Sequence, residues 1–116
     1  MVRLEYSQVV RRKLKKLRDE LAQDFGENNS KRVMLNIAKG IRQLETFPQS
    51  GTKISLQYNI ECDYRYIFVE HNYFFYRIKD KNTILILEMF HEKEDFMRKL
   101  FGIVTTSQET IDYWGE

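Results

Sequence analysis

Apolar and polar residues alternate through "VRLEY", with Val2, Leu4 and Tyr6 on one side and Arg3 and Glu5 on the other. That two-residue period predicts a strand with one buried face. Ser7 follows as a helix cap, and Val10, Leu14, Leu17 and Leu21 then recur as one apolar stripe that stops near Gly26. "GENNS" reads as a short polar turn with Ser30 as the next cap. Val33, Ile37, Ile41 and Leu44 supply a second stripe, ended by Phe47-Pro48. Two helices of similar length joined by a tight turn predict an antiparallel hairpin whose stripes need a surface to cover.

The second half changes period. Ile54, Leu56, Tyr58, Ile60, Cys62, Tyr64, Tyr66 and Phe68 occupy every second position, which predicts extended chain, and a strand from about Asp63 to Glu70. His71-Asn72 is read as a two-residue hairpin turn, "YFFYRIK" as the next strand and "DKN" as the next turn. "TILILEMF" is apolar on both faces and is therefore expected in the middle of the sheet. "EKEDFMRKLFG" fits a short helix closed by Gly102. The predicted order is β-α-α-β-β-β-α, an α+β domain over residues 1–102. Its antiparallel sheet carries the helical hairpin on one face, and the first strand joins the same sheet. Residues 103–116, "IVTTSQETIDYWGE", form an acidic C-terminal extension.

At 116 residues, 42% of them apolar, the chain is long enough for one core without metals or disulfides. Cys62 is alone and cannot form an internal bridge, which points to a reducing compartment, the cytoplasm. "MVRLEYSQVVRRKL" builds no apolar run of the signal-peptide kind, and no stretch is apolar over the length a bilayer requires. The net charge of +2 hides an asymmetry: residues 1–58 carry 12 Lys+Arg against 6 Asp+Glu, and the remainder 7 against 11. Any nucleic-acid role would need a local basic face rather than an overall surplus. "RRKLKKLR" gathers 6 of the 19 Lys+Arg in one run, and a solvated helix face is a simpler account of it than a binding role.

The sequence excludes several chemistries. Its five glycines form neither a Walker loop nor a dinucleotide pattern. One cysteine and two distant histidines make a poor zinc site, and no cofactor is expected. Glu61 and Asp63 flank Cys62 and disfavour a thiolate.

What remains is the sheet face turned away from the hairpin. Alternation puts Phe74, Tyr76 and Ile78 on the core side, and Tyr73, Phe75, Arg77 and Lys79 on the other. Rings mixed with cations suit stacking on bases, or a groove for a partner peptide, or an ordinary amphipathic strand. Arg65 falls on the odd-numbered side of its own strand. It is expected near Phe75–Lys79, there to grip phosphate or carboxylate or to pair with Glu70 or Glu88. Unperturbed histidine has a pKa near neutrality, so His91 is a candidate for proton transfer in phosphodiester cleavage, with Tyr73, Lys93 and Arg77 as companions; it equally suits a plain strand end.

"YFFYRI" followed by "ILILEMFHEKEDF", in a β-α-α-β-β-β order, resembles the RelE/ParE toxins of bacterial type II toxin–antitoxin modules over residues 2–101. The resemblance implies a small toxin neutralised by a cognate antitoxin, with no membrane association. ParE-like members poison DNA gyrase; RelE-like members cleave messenger RNA on the ribosome. By position, Tyr76 matches the aromatic that ends the family's R-x-x-Y pattern, whereas Tyr73 stands where ribonuclease members carry arginine. His91 lies where some of those members keep a catalytic histidine, and Lys93 lies near a basic position used on phosphate. The spacing of His91 to Asp95 resembles the ParE branch. The resemblance therefore implies gyrase-directed inhibition, with a metal-independent messenger-RNA endonuclease using His91, Arg65, Arg77, Lys93 and Tyr73 as the alternative. A catalytically inert peptide-binding module, its basic face covered by the acids and Trp114 of the tail, is a third expectation.

Overall fold

The computed structural model describes residues 2–58 and 61–101. Gly102 and the acidic extension with Trp114 lie outside them, as does Ile60. The elements run β1 (Arg3–Tyr6), α1 (Gln8–Phe25), α2 (Glu27–Arg42), β2 (Thr52–Lys53), α3 (Ile54–Tyr58), β3 (Tyr64–Val69), β4 (Asn72–Asp80), β5 (Thr83–His91) and α4 (Phe96–Phe101). One five-stranded sheet forms in the order β1-β5-β4-β3-β2. β3, β4 and β5 are an antiparallel meander, and β1 lies parallel to β5 at the edge, Arg3 opposite Thr83 and Tyr6 opposite Ile86. The α+β architecture is the one the periodicity predicts, and β5 occupies the interior position its doubly apolar sequence demands.

Both helical stripes are buried on one sheet face. Val10, Ile37, Ile41 and Leu44 close over Phe74, Tyr76, Ile84, Ile86 and Met89. Fully burying each such aliphatic or aromatic side chain stabilises the fold by about 1.5–3 kcal/mol. Gly40 lets α2 approach the sheet, since a Cβ there would lie 2.7 Å from Val69 Cγ2.

Ser7 caps α1 as expected, its Oγ accepting from the Val10 N–H at 3.1 Å and donating to the Leu87 carbonyl at 2.8 Å. Leu87 needs that partner. The β4–β5 register slips between the Phe75–Glu88 and Tyr76–Ile86 pairs, so Leu87 is the extra residue of a bulge.

Four local expectations are corrected. The helix–helix turn is the single residue Gly26, at φ +95°, and α2 starts at Glu27. Ser30 is therefore no cap; it lies buried within α2 and donates to the Arg18 carbonyl. The β3–β4 turn is Glu70-His71, both at positive φ (49° and 66°), and not His71-Asn72. Asn72 is instead a buried strand residue whose amide donates to the Glu70 carbonyl at 2.7 Å. Finally, residues 54–58 are helical rather than extended. Their alternation marks no sheet face: Ile54 is buried, while Leu56 is 79% exposed.

Candidate functional site

On the sheet face away from the hairpin, the rings expected beside Arg77 gather into an aromatic cluster. Phe75 and Phe90 are buried there, with Tyr64, Tyr66 and Tyr73 packed against them. α4 inserts Phe96 among these rings, at 4.9 Å from Phe75 and 5.0 Å from Tyr73 between centroids. Such tilted and edge-on pairs each add about 0.5–1.5 kcal/mol beyond area burial. Ile54 of α3 and Met97 complete the cover. The wall is therefore largely roofed. Phe68 at its rim, 49% exposed and 4.8 Å from the Tyr73 ring, is its accessible end.

The five candidate residues do not converge. A two-residue turn pairs odd with even numbers, so Arg65 stands opposite Tyr76 and Arg77 opposite Tyr64. Arg65 thus shares the face of Tyr76, and Arg77 shares that of Tyr73 and Phe75. Arg65 therefore stands near Phe75–Lys79 as expected, but on the opposite face of the sheet from Arg77.

Arg65 has a different employment: its guanidinium donates to the carbonyls of Gln49 and Gly51 at 3.2 and 3.3 Å. Tyr76 holds the same loop. Its hydroxyl donates to the Pro48 carbonyl at 2.8 Å and accepts from the Gly51 N–H at 2.9 Å. Gly51 is required there, because a Cβ would fall 2.5 Å from the Tyr76 hydroxyl. Burial raises the Tyr76 phenol above its ordinary pKa. Arg77 differs again: its Nε is buried and makes no hydrogen bond among the described residues.

His91 lies opposite Asn72 at the end of β5, while the adjacent pair Tyr73–Phe90 points to the other face. Histidine and tyrosine are therefore on opposite sides of the sheet. The His91 Nδ1 accepts from the Lys93 backbone N–H at 3.1 Å, and the His91 backbone N–H donates to Glu94 Oε1 at 2.8 Å. These bonds shape the turn into α4. Lys93 is exposed and contributes its backbone here.

Lys13, which sequence reasoning left within a solvated charge run, is the cation that matters at this end. β5 continues past the end of β1, and Lys13 of α1 covers that open edge. Its ammonium donates to Glu88 Oε1 at 2.8 Å and to the Met89 carbonyl at 3.0 Å, and sits 4.5 Å from the Phe90 ring centroid. A signal for it existed, since Lys13 falls three residues after Val10 and four before Leu17, beside the buried stripe. Lys13, Lys16, His91 and Glu94 rim a shallow cleft floored by Asn72. Burial pushes the Glu94 carboxyl up, but the Lys99 ammonium and the His91 N–H outweigh it and hold the pKa below the usual range. Mixed charge at the rim makes the cleft a poor trap for an anion.

Among the described residues no group of three or more His, Cys, Asp or Glu could hold a metal ion, and no helix is long and apolar enough to cross a membrane. No curated protein matches the sequence. A solved structure described as the chromosomal ParDE TA system from P. aeruginosa shares the fold, with a TM-score of 0.64 at 17% identity, over 78% of this chain and 96% of that one. Residues 4–96 match the family described as the ParE toxin of the type II toxin–antitoxin system, parDE. That span takes in β1 through the start of α4, and with it the roofed sheet and both histidines. The chain belongs to the ParE toxin family of type II toxin–antitoxin systems.

Proposed function

We propose that this ParE-family toxin inhibits growth by binding DNA gyrase rather than by cutting RNA, and that a cognate antitoxin neutralises it in the cytoplasm. The observation that carries the reading is the dispersal of the candidate catalytic groups. General acid–base cleavage of a phosphodiester needs two proton carriers and a cation within reach of one phosphate. Here Arg65 is occupied by the loop at Gln49–Gly51, Arg77 and Tyr73 lie on the opposite face from Arg65, and His91 is engaged in the turn to α4. Family membership supports the toxin role and the existence of an antitoxin. Phe68, half exposed at the rim of the aromatic cluster, offers a partner an apolar anchor.

Induced expression should arrest growth and produce DNA breaks while messenger RNA stays intact, and purified protein should block gyrase supercoiling. Co-expression of the small gene product encoded beside the toxin should restore growth. His91→Ala should leave the arrest unchanged. Codon-phased cuts in messenger RNA that vanish in His91→Ala would overturn the reading in favour of a ribosome-dependent endonuclease.

A further inference from the structure

The two helices cover the sheet with one face each, so their other faces form a single solvent-exposed platform. On α1 that face carries Arg11, Arg12, Lys15, Lys16 and Arg18, all exposed. On α2 it carries Lys31, Arg32, Lys39 and Arg42, also exposed. Ion pairing takes up little of this charge. Lys16 meets Glu20 at 3.9 Å and Arg18 meets Asp19 at 3.3 Å, both at the surface, where such pairs contribute little. Arg12, Lys15 and the four cations of α2 have no carboxylate partner among the described residues.

Acids on the hairpin are confined to its tip side: Asp19, Glu20 and Asp24 late in α1, and Glu27 at the start of α2. Because the helices run antiparallel, Arg11, Arg12 and Lys15 lie across from Lys39 and Arg42, and the open end of the hairpin is predominantly basic, with Glu45 just past α2 as the acid beside Lys39 and Arg42. Residues 8–42 carry 10 Lys+Arg against 4 Asp+Glu, a net of +6, whereas the chain as a whole carries +2. The modest overall charge therefore conceals the local basic face that nucleic-acid binding requires.

We infer that this platform docks on the phosphate backbone of duplex DNA without reading its sequence. From Lys31 to Arg42 the α2 cations span about 16 Å at the helical rise. A second row on α1 lies about 8–10 Å away, the ordinary packing distance. Duplex DNA carries one charge per about 1.7 Å of axis, so such a footprint meets several phosphates at once. A helical peptide partner would want apolar anchors at three- and four-residue spacing. Within α1 and α2 the platform offers Leu35, 56% exposed and ringed by cations, with Phe25 away at the tip and Phe47 beyond the open end. Flat, cationic and nearly free of apolar anchors, the surface matches a polyanion. The inference does not depend on gyrase being the target, because the contact is with DNA itself.

The test is fluorescence polarisation of a labelled duplex of about 20 base pairs with the full chain, titrated between about 50 and 200 mM salt, conditions under which phosphate contacts dominate. The wild type should bind with a steep salt dependence. Reversing the open end with Arg12→Glu, Lys15→Glu, Lys39→Glu and Arg42→Glu should flatten the slope of log K against log salt by about 3–4, at about 0.9 per lost phosphate contact. The same positions changed to Gln should flatten it too, with circular dichroism and thermal melting confirming the fold of each variant. Lys53→Glu with Lys81→Glu, cations outside the platform, should leave binding nearly unchanged. Absence of binding at the lowest salt, or equal loss in the Lys53/Lys81 variant, would overturn the inference. So would tighter binding to single-stranded RNA. Poly-glutamate binding as tightly as DNA, and weakened by Leu35→Ala, would assign the platform to an acidic protein instead.

Discussion

Tyr76 shows how much one hydroxyl can organise. It is fully buried, yet its oxygen both donates to Pro48 and accepts from Gly51, tying the loop before β2 to the centre of the sheet. Tyr76→Phe keeps the ring and leaves both loop groups without that partner, so it should cost about 1–3 kcal/mol in urea unfolding. Gly51→Ala should cost more, because its methyl would collide with the same hydroxyl. Burial raises the phenol pKa in the folded state only, so its contribution is complete below the unfolded value of about 10 and is lost as pH rises through the folded one. Unfolding titrations into the alkaline range should show that loss reduced in Tyr76→Phe. Tyr6, raised by burial and the Glu45 carboxylate, should sustain what remains. The face of Tyr76 is legible from alternation, whereas the face of Arg65 follows from the turn between β3 and β4. Any two-residue hairpin turn pairs odd with even positions, and that arithmetic was present in the sequence. Which carbonyls Arg65 would reach was not, because they lie in a loop whose path depends on Tyr76.

Among the elements, strong periodicity was read correctly and short irregular segments were not. α1, α2 and the three long strands each bury a stripe or a face, so pattern and packing agree. α3 is five residues long and buries only Ile54, and nothing in its alternating sequence distinguishes it from a strand. α4 matters more than its length suggests, because Phe96 closes the aromatic cluster. Phe96→Ala should destabilise the protein by about 3–5 kcal/mol, the usual cost of emptying an aromatic core site, and should enhance binding of a dye that seeks exposed apolar surface. Acid should loosen the same element. The folded Glu94 pKa is depressed, so its contribution is present above the unfolded value near 4.5 and is lost as pH falls through the folded one. Glu94→Gln should flatten the acid limb of the unfolding curve.

For the molecule as a whole, the arrangement of faces decides the function. Helices cover both sides of the sheet, and among the described residues the five candidates line no common cleft, which leaves the exposed groups at rims and outer surfaces. Phe68→Ala should therefore preserve folding and weaken partner binding, seen as a faster off-rate in surface-immobilised assays with the antitoxin or gyrase. An unchanged off-rate with both would remove Phe68 from the recognition surface.

The parallel pairing of β1 with β5 has a further consequence, in time rather than space. Residues 3–6 have no strand partner until residues 83–86 exist. At about 5–20 residues per second on a ribosome, the first strand waits roughly 4–16 s for its neighbour. The five-stranded sheet therefore closes only after about three-quarters of the chain has been made.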